Sequence, residues 1–432
     1  MQSIKQLILY RNFEHGALLE RFAWLMEQCG KNSCDPEELA ACYYTCFHDL
    51  TEFVERYGLE GNLWHSYLAY LLVNHENAYS VACEIRGEAK GTIGKIARHD
   101  FMIFKELFDF DFHKLKELGV FGVDLIENYE AKSAVGKALH VRIANRICAL
   151  AKALAKAKDA DEFQRAVTEF YHDFGVGKLG LHKAFRVEHT EKGAKIVPVA
   201  NIAHVRLDDL VGYEIAKKKL TDNTEAFLLG RRANNCLLYG DAGTGKSSSI
   251  KAIANQYYDR GLRLIELYKH QFQDLHDVIR QIKNRNYRFI IYMDDLSFED
   301  FEVEYKYLKA VIEGGLEKKP ENILIYATSN RRHLIREKFS DKAELLDDLH
   351  NNDTVQEKLS LAARFGVQIY FGAPDKKEFE QIVKTLAGVQ QIRMGEEELL
   401  SEANKWELGH GGRSGRTAQQ FIDYLSGKGG DK

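Results

Sequence analysis

No stretch of this chain is apolar for long enough to cross a bilayer. The longest, Leu63 to Val73, is interrupted by His65 and Ser66 and falls short of the ~20 residues a spanning helix needs. The first residues lack the basic, apolar, small-residue layout of a signal peptide, so a cytoplasmic protein with no membrane partner is expected. Its 7 cysteines, an odd number, fit a reducing compartment better than a disulfide framework. The net charge of −4 gives no global attraction to nucleic acid. No H-E-x-x-H or nucleophile-elbow motif occurs, which leaves proteolysis unsupported. No repeat of fixed period is visible, and 432 residues suffice for two or three domains with substantial cores.

Against those absences stands one dense motif. Tyr239-Gly240-Asp241-Ala242-Gly243-Thr244-Gly245-Lys246-Ser247 contains a complete phosphate-binding loop, G-x-x-x-x-G-K-[ST]. Glycines let the backbone wrap closely round an anion and turn several N–H groups inward. Lys246 adds charge for the outer phosphates, and the Ser247 hydroxyl can ligate Mg²⁺. The apolar run Cys236-Leu237-Leu238 reads as a buried strand entering the loop. Lys246 to Tyr258 lacks Gly and Pro and reads as a helix that stops at Gly261. Phosphates would then sit at a helix N-terminus, where orphan N–H groups favour negative charge. ATP and Mg²⁺ are the expected cofactors, with Gly240 to Ser248 as the cradle.

A second apolar strand, Phe289 to Met293, ends in Asp294-Asp295. Asp294 would hold Mg²⁺ opposite Ser247, and Asp295 could orient or deprotonate the attacking water. A third, Ile323 to Ala327, ends in Thr328-Ser329-Asn330, whose polar groups could bond the water or γ-phosphate or simply cap the next helix.

These blocks together resemble the AAA+ ATPases. Leu207 to Tyr213 is similar to the segment that precedes their first strand and contacts adenine, which implies a base-side role for Val211, Gly212 and Tyr213. Asn330 matches their first sensor. Ser360-Leu361-Ala362-Ala363-Arg364-Phe365-Gly366 resembles their arginine-finger segment, in wording like that of the Holliday-junction branch-migration motor. Gly411-Gly412-Arg413-Ser414-Gly415-Arg416 is similar to their second-sensor motif, with Arg413 taken as the sensor. Asp294-Asp295-Leu296-Ser297-Phe298 and Ala327-Thr328-Ser329-Asn330-Arg331-Arg332-His333-Leu334 further resemble a bacterial family of AAA+ ATP-binding proteins catalogued as a domain of unknown function. The resemblance implies an ATPase that works as a homo-oligomer, with Arg364 acting in trans. A rigid guanidinium fork can stabilise charge on a transferring phosphoryl group by roughly 10³–10⁵ in rate.

Two departures matter. The usual second acid is glutamate; Asp295 is shorter by one bond of about 1.5 Å, and Glu299 is a candidate substitute. The loop after a further expected strand, Leu262 to Leu267, is Tyr268-Lys269-His270-Gln271-Phe272, which lacks the glycine of polypeptide-threading motors.

The implied architecture is α/β: a P-loop NTPase AAA+ core, a parallel sheet sandwiched by helices, over 202–374. A helical lid follows over 375–432, an all-α domain precedes it over 1–173, and 174–201 serves as linker or small hairpin. In the N-terminal part Asp35 caps and Pro36 opens a helix whose stripe Leu39, Cys42, Tyr43, Cys46, Phe47, Leu50, Phe53 is a core face. Cys42 and Cys46 read there as small hydrophobes. Phe101, Phe104, Phe108 and Phe112 have helical spacing and read as core rather than as a base-stacking platform. From Lys132 to Lys158 every charged residue is basic, which suggests either a solvated helix face or one that follows a nucleic-acid backbone. Three functions are therefore expected in turn: an ATPase that remodels or loads a protein partner bound by the N-terminal helices, a nucleotide-gated binding module with slow hydrolysis, and a nucleic-acid motor or helicase loader.

Overall fold

In a computed structural model the chain is described over residues 4–29, 35–130, 141–191, 193–199, 202–298, 304–313, 320–330, 334 and 361–428. It forms two compact units, Met1–His182 and Lys183–Lys432.

The first unit is helical among its described residues: α1 (Gly16–Cys29), α2 (Pro36–Tyr57), α3 (Leu63–Asn74), α4 (Ala78–Arg86), α5 (Thr92–Phe108), α6 (Val123–Glu127), α7 (Val141–Lys156), α8 (Ala160–Phe174) and α9 (Gly177–Leu181). Helix α2 starts as its sequence requires. Asp35 accepts the Glu37 N–H, Pro36 needs no donor, and Gly58 closes the helix in the left-handed conformation. Helix α3 is apolar nearly all round, so it is buried on every side and packs against α2, α5 and α7. Cys46, Phe101, Phe104, Phe108 and Phe112 are all core residues. Of the basic stretch, Arg142, Arg146, Lys152 and Lys156 lie on α7, where Ile143, Ile147, Leu150 and Leu154 face inward and Arg146 lies 4.3 Å over the Phe174 ring. Lys132 and Lys137 fall outside the described residues. The buried Asp100 carboxylate anchors the N-terminal segment by accepting the N–H groups of Ile8, Leu9 and Tyr10 at 2.7–3.1 Å.

The second unit is built on a sheet of β1 (Ala184–Thr190), β2 (Gly193–Pro198), β3 (Cys236–Gly240), β4 (Leu262–Glu266), β5 (Arg288–Met293), β6 (Ile323–Ser329) and β7 (Val367–Phe371), in the order β2-β1-β4-β5-β6-β3-β7. All neighbours are parallel except β1 and β2. Central strands covered on both faces read as continuous apolar runs, and β6 is buried at every position. On one face Cys236, Leu238, Ile290, Leu324 and Tyr326 pack against α10 (Glu214–Leu228) and α11 (Lys246–Tyr257). Within 174–201, read from sequence as linker or small hairpin, the described residues include the end of α8, α9 and the β1–β2 pair. That pair is part of the main sheet, with Phe185 opposite Ile265 of β4. Three lid helices, Lys376–Val389, Glu396–Gly409 and Gly415–Lys428, share a small core of Phe379, Val383, Ala403, Phe421 and Ile422.

The strand order positions the chemistry. Parallel strands present their carboxyl ends to one crevice. Because β6 lies between β3 and β5, Thr328 stands opposite Leu238 on one side while Ala327 stands opposite Met293 on the other. The phosphate loop and the acidic pair therefore flank the β6 tip.

Candidate functional site

The loop leaves β3 at Gly240, whose φ is +134° and where a Cβ would meet the Phe371 carbonyl oxygen at 2.1 Å, so only glycine fits. Asp241 fastens the loop to β7: its N–H donates to Phe371 O at 3.0 Å and its Oδ2 accepts from Ala373 N–H at 2.7 Å. Ala242 is exposed at the turn, the Thr244 hydroxyl donates to Asp241 O, and Gly245 precedes the first turn of α11, which carries Lys246, Ser247 and the half-buried Ser248.

Lys246 is buried, and its ammonium donates to the carbonyls of Gly240 at 2.9 Å and Asp241 at 2.6 Å. Burial lowers its pKa, against the raising influence of Asp241, Asp295 and Asp294. Ser247 Oγ donates to Asp294 Oδ1 at 2.7 Å, which brings the two residues expected to hold a metal side by side. Partial burial works to raise the Asp294 pKa; hydrogen bonds from Thr328 and Ser247, the nearby Tyr292 hydroxyl and the charge of Lys251 overcome it and bring it below the usual carboxylate value. The buried Tyr292 hydroxyl lies beside Asp294 without a close hydrogen-bond partner. A carboxylate kept ionised, the Ser247 hydroxyl against it and the Tyr292 oxygen beside it form an all-oxygen set that a hard cation fits.

Asp295 has a φ of +49°, and its Oδ1 accepts from Asn330 Nδ2 at 2.8 Å. Glu299, the candidate substitute, lies outside the described residues. Val211, Gly212 and Tyr213 line a cavity of about 280 Å³ closed by Pro374 and by Lys377, Glu378, Gln381 and Ile382 of the lid. The Tyr213 hydroxyl donates to Gly372 O at 2.8 Å, and burial, with Glu378 and Asp241 nearby, pushes its pKa up to about 12.

The two remaining arginines lie elsewhere. Arg364 precedes β7 at the amino end of the sheet, away from its own phosphate loop: Val367 pairs with Cys236 and Phe371 with Gly240. Four strand steps separate those levels, about 13 Å. Arg413, taken from sequence as the second sensor, donates to the buried Glu407 within the lid at 3.1 Å. Arg416 is the lid arginine at the loop. Its N–H donates to Gly243 O at 3.2 Å, and its charge acts on Lys246. A Cβ at Gly243 would lie 2.9 Å from Ser414 Oγ and 3.0 Å from Arg416 Cβ, so the lid packs directly on the loop. The signal for Arg416 was the helix start: Ser414 Oγ accepts the Thr417 N–H, which sets Arg416 in the first turn, beside whatever that turn abuts.

Strand order, glycine loop and acidic strand tip define a fold of the AAA+ ATPase class. The chain belongs to the family described as "Protein of unknown function (DUF815)", which matches residues 180–429. A stretch of 79 residues is 35% identical to the replication factor C large subunit of Staphylothermus marinus and covers 18% of each chain. Among solved structures, the RuvB Holliday junction branch migration motor of Thermotoga maritima is similar at 17% identity and a TM-score of 0.36, over 50% of this chain and 63% of that one. The AAA domain of FIGL-1, in complex with ADP, gives 16% identity and a TM-score of 0.36, over 52% and 73%. The chain thus spans under a fifth of the curated relative and just under two thirds of the branch migration motor. Among the described residues no helix is long and apolar enough to cross a membrane.

Proposed function

We propose that this protein binds ATP with Mg²⁺ between the loop 240–248 and the tips of β5 and β6, and hydrolyses it to ADP and phosphate. The observation that carries this reading is the 2.7 Å contact of Ser247 with Asp294 beside the buried ammonium of Lys246. Lys246 would exchange its two loop carbonyls for phosphate oxygens, a gain in charge pairing for a cation already desolvated. Held by Ser247 and Asp294, Mg²⁺ would supply neutralisation of phosphate charge. Asp295 takes the proton of the attacking water, and Asn330 orients it. Val211, Gly212 and Tyr213 receive the base.

Core and lid would close together through Arg416 and Ser414, with Arg413 acting on the lid's own geometry through Glu407. Because Arg364 precedes β7 at the opposite end of the sheet from its own loop, we take it to act on the nucleotide of a second copy of the chain, in a homo-oligomer. Closure would remodel or load a protein partner held by the N-terminal helices. A second reading, a nucleotide-gated binding module with slow turnover, is favoured by one feature: the Asp295 carboxylate is already engaged by Asn330 at 2.8 Å.

Calorimetric titration of Mg·ATP into the full chain tests the reading, with Lys246→Ala as control. Wild type gives binding heat, and the variant binds about 10- to 100-fold more weakly, the worth of a charge-assisted contact. Equal binding by both proteins, or none by wild type, overturns it. Comparing partner capture by Asp295→Glu and Asp295→Asn separates the two readings, since a pure switch binds its partner equally in both.

A further inference from the structure

An acid one bond shorter than usual works only if its backbone brings it closer or turns it differently. Asp295 does turn differently. Its φ of +49° lies in the left-handed region, which a residue with a side chain enters only where its surroundings hold it there. The holding group is Thr328. The Asp295 N–H donates to Thr328 Oγ1 at 2.9 Å, and the next amide, Leu296 N–H, donates to the Thr328 carbonyl at 2.7 Å. The same hydroxyl gives its own proton to Asp294 Oδ1 at 2.6 Å. A threonine hydroxyl has one proton to give and lone pairs to accept with, and here both capacities are used, one on each acid. Thr328 is 2% exposed, so water cannot stand in for it. Its branched Cβ suits a central strand and restricts χ1, which fixes where the hydroxyl points.

We propose that Thr328 is a positioning residue for the hydrolytic step: it locks the left-handed turn that aims the Asp295 carboxylate, and it orients Asp294 in the same act. The proposal rests on the ATPase reading above. It assigns to one buried hydroxyl the compensation for a short acid. The Asn330 contact with Asp295 Oδ1 completes the arrangement from the far end of the carboxylate.

The test uses the full chain with Thr328→Val, which keeps the shape and removes the hydroxyl, and Thr328→Ser, which restores it. Mg·ATP binding by wild type is measured first; absence of binding there defeats the ATPase reading itself, whatever Thr328 does. With binding established, kcat of Thr328→Val falls about 10- to 100-fold, a larger factor than any loss of affinity that the missing contact with Asp294 brings. The Asp295 amide loses hydrogen-exchange protection in the same variant. Thr328→Ser recovers both kcat and protection. Unchanged kcat in Thr328→Val, a proportional loss of binding and turnover, or failure of serine to rescue overturns the proposal, as does a wild type that binds ATP without hydrolysing it. Should the valine variant not fold, Thr328→Ser decides alone: its kcat stays within about threefold of wild type, and a larger fall counts against the assignment.

Discussion

Two carboxylates, Asp100 in the helical unit and Asp294 in the sheet unit, show how differently the two halves use the same side chain. Asp100 is fully buried and spends its oxygens on three backbone N–H groups of the N-terminal segment. Asp294 stands at an exposed strand tip, and the Ser247 and Thr328 hydroxyls both reach one oxygen, Oδ1. The contrast runs through both units. In the first, Tyr10 meets Tyr171, Trp64 Nε1 donates to Leu107 O, and His65 bonds Phe108 O, so polar groups are closed off inside the core. In the second, the polar groups of the crevice meet across strand tips and keep capacity for something else. Spent polar groups serve stability; groups with capacity left are the ones to suspect of chemistry.

The largest effect expected from breaking this contrast comes from Asp100→Ala. The buried Tyr10 amide and the partly buried Ile8 and Leu9 amides lose their acceptor, at about 1–3 kcal/mol for a buried group left unpaired, so the helical unit is destabilised by a few kcal/mol while Mg·ATP affinity holds. Denaturant melting followed beside calorimetry checks it, and a parallel loss of nucleotide binding would break the division between the units. Next is Gly243→Val, which cannot be accommodated against Ser414 and Arg416 at a φ of +75°. It should weaken ATP binding about 100-fold with little effect on the helical unit. Smaller still is the difference between two lid arginines: Arg416→Ala lowers kcat about tenfold, and Arg413→Ala lowers lid stability more than turnover. Steady-state kinetics paired with thermal melts distinguishes them.

The smallest effect is a pH dependence confined to the helical unit. Burial lowers the pKa values of His15, His65 and His75. The unfolded chain then binds more protons than the folded one just below the ordinary histidine value of about 6.5. Stability from these neutral histidines is full above that pH and declines as pH falls through it towards the lowered values. Trp64, buried in this unit, gives a fluorescence signal for the melt, and His65→Gln should flatten the slope.

Local signals carried far. The strand, loop and helix around Cys236–Tyr257 were legible because every residue of the motif is adjacent in sequence. The same holds for the Asp35 cap and the phenylalanine stripe of α5. What could not be read depends on pairing between distant segments. Nothing local says that β6 inserts between β3 and β5, and that insertion is what makes Thr328 the neighbour of both acids. Nor does the run Asp294-Asp295 announce a left-handed backbone. Within Gly411 to Arg416 the sequence favours Arg413, and only the packing of Ser414 and Arg416 on Gly243 shows which of the two lies at the loop. Residues 174–201 read as a linker or small hairpin, yet pairing of β1 with β4 makes the β1–β2 pair one wing of the sheet.

The contact between Gly243 and the start of the last lid helix has a kinetic corollary. Under the proposed reading, with that helix packed on the loop, departure of the spent nucleotide would wait on the lifting of the helix. Dwell time and lid position are then one variable, and whatever grips the lid sets the clock.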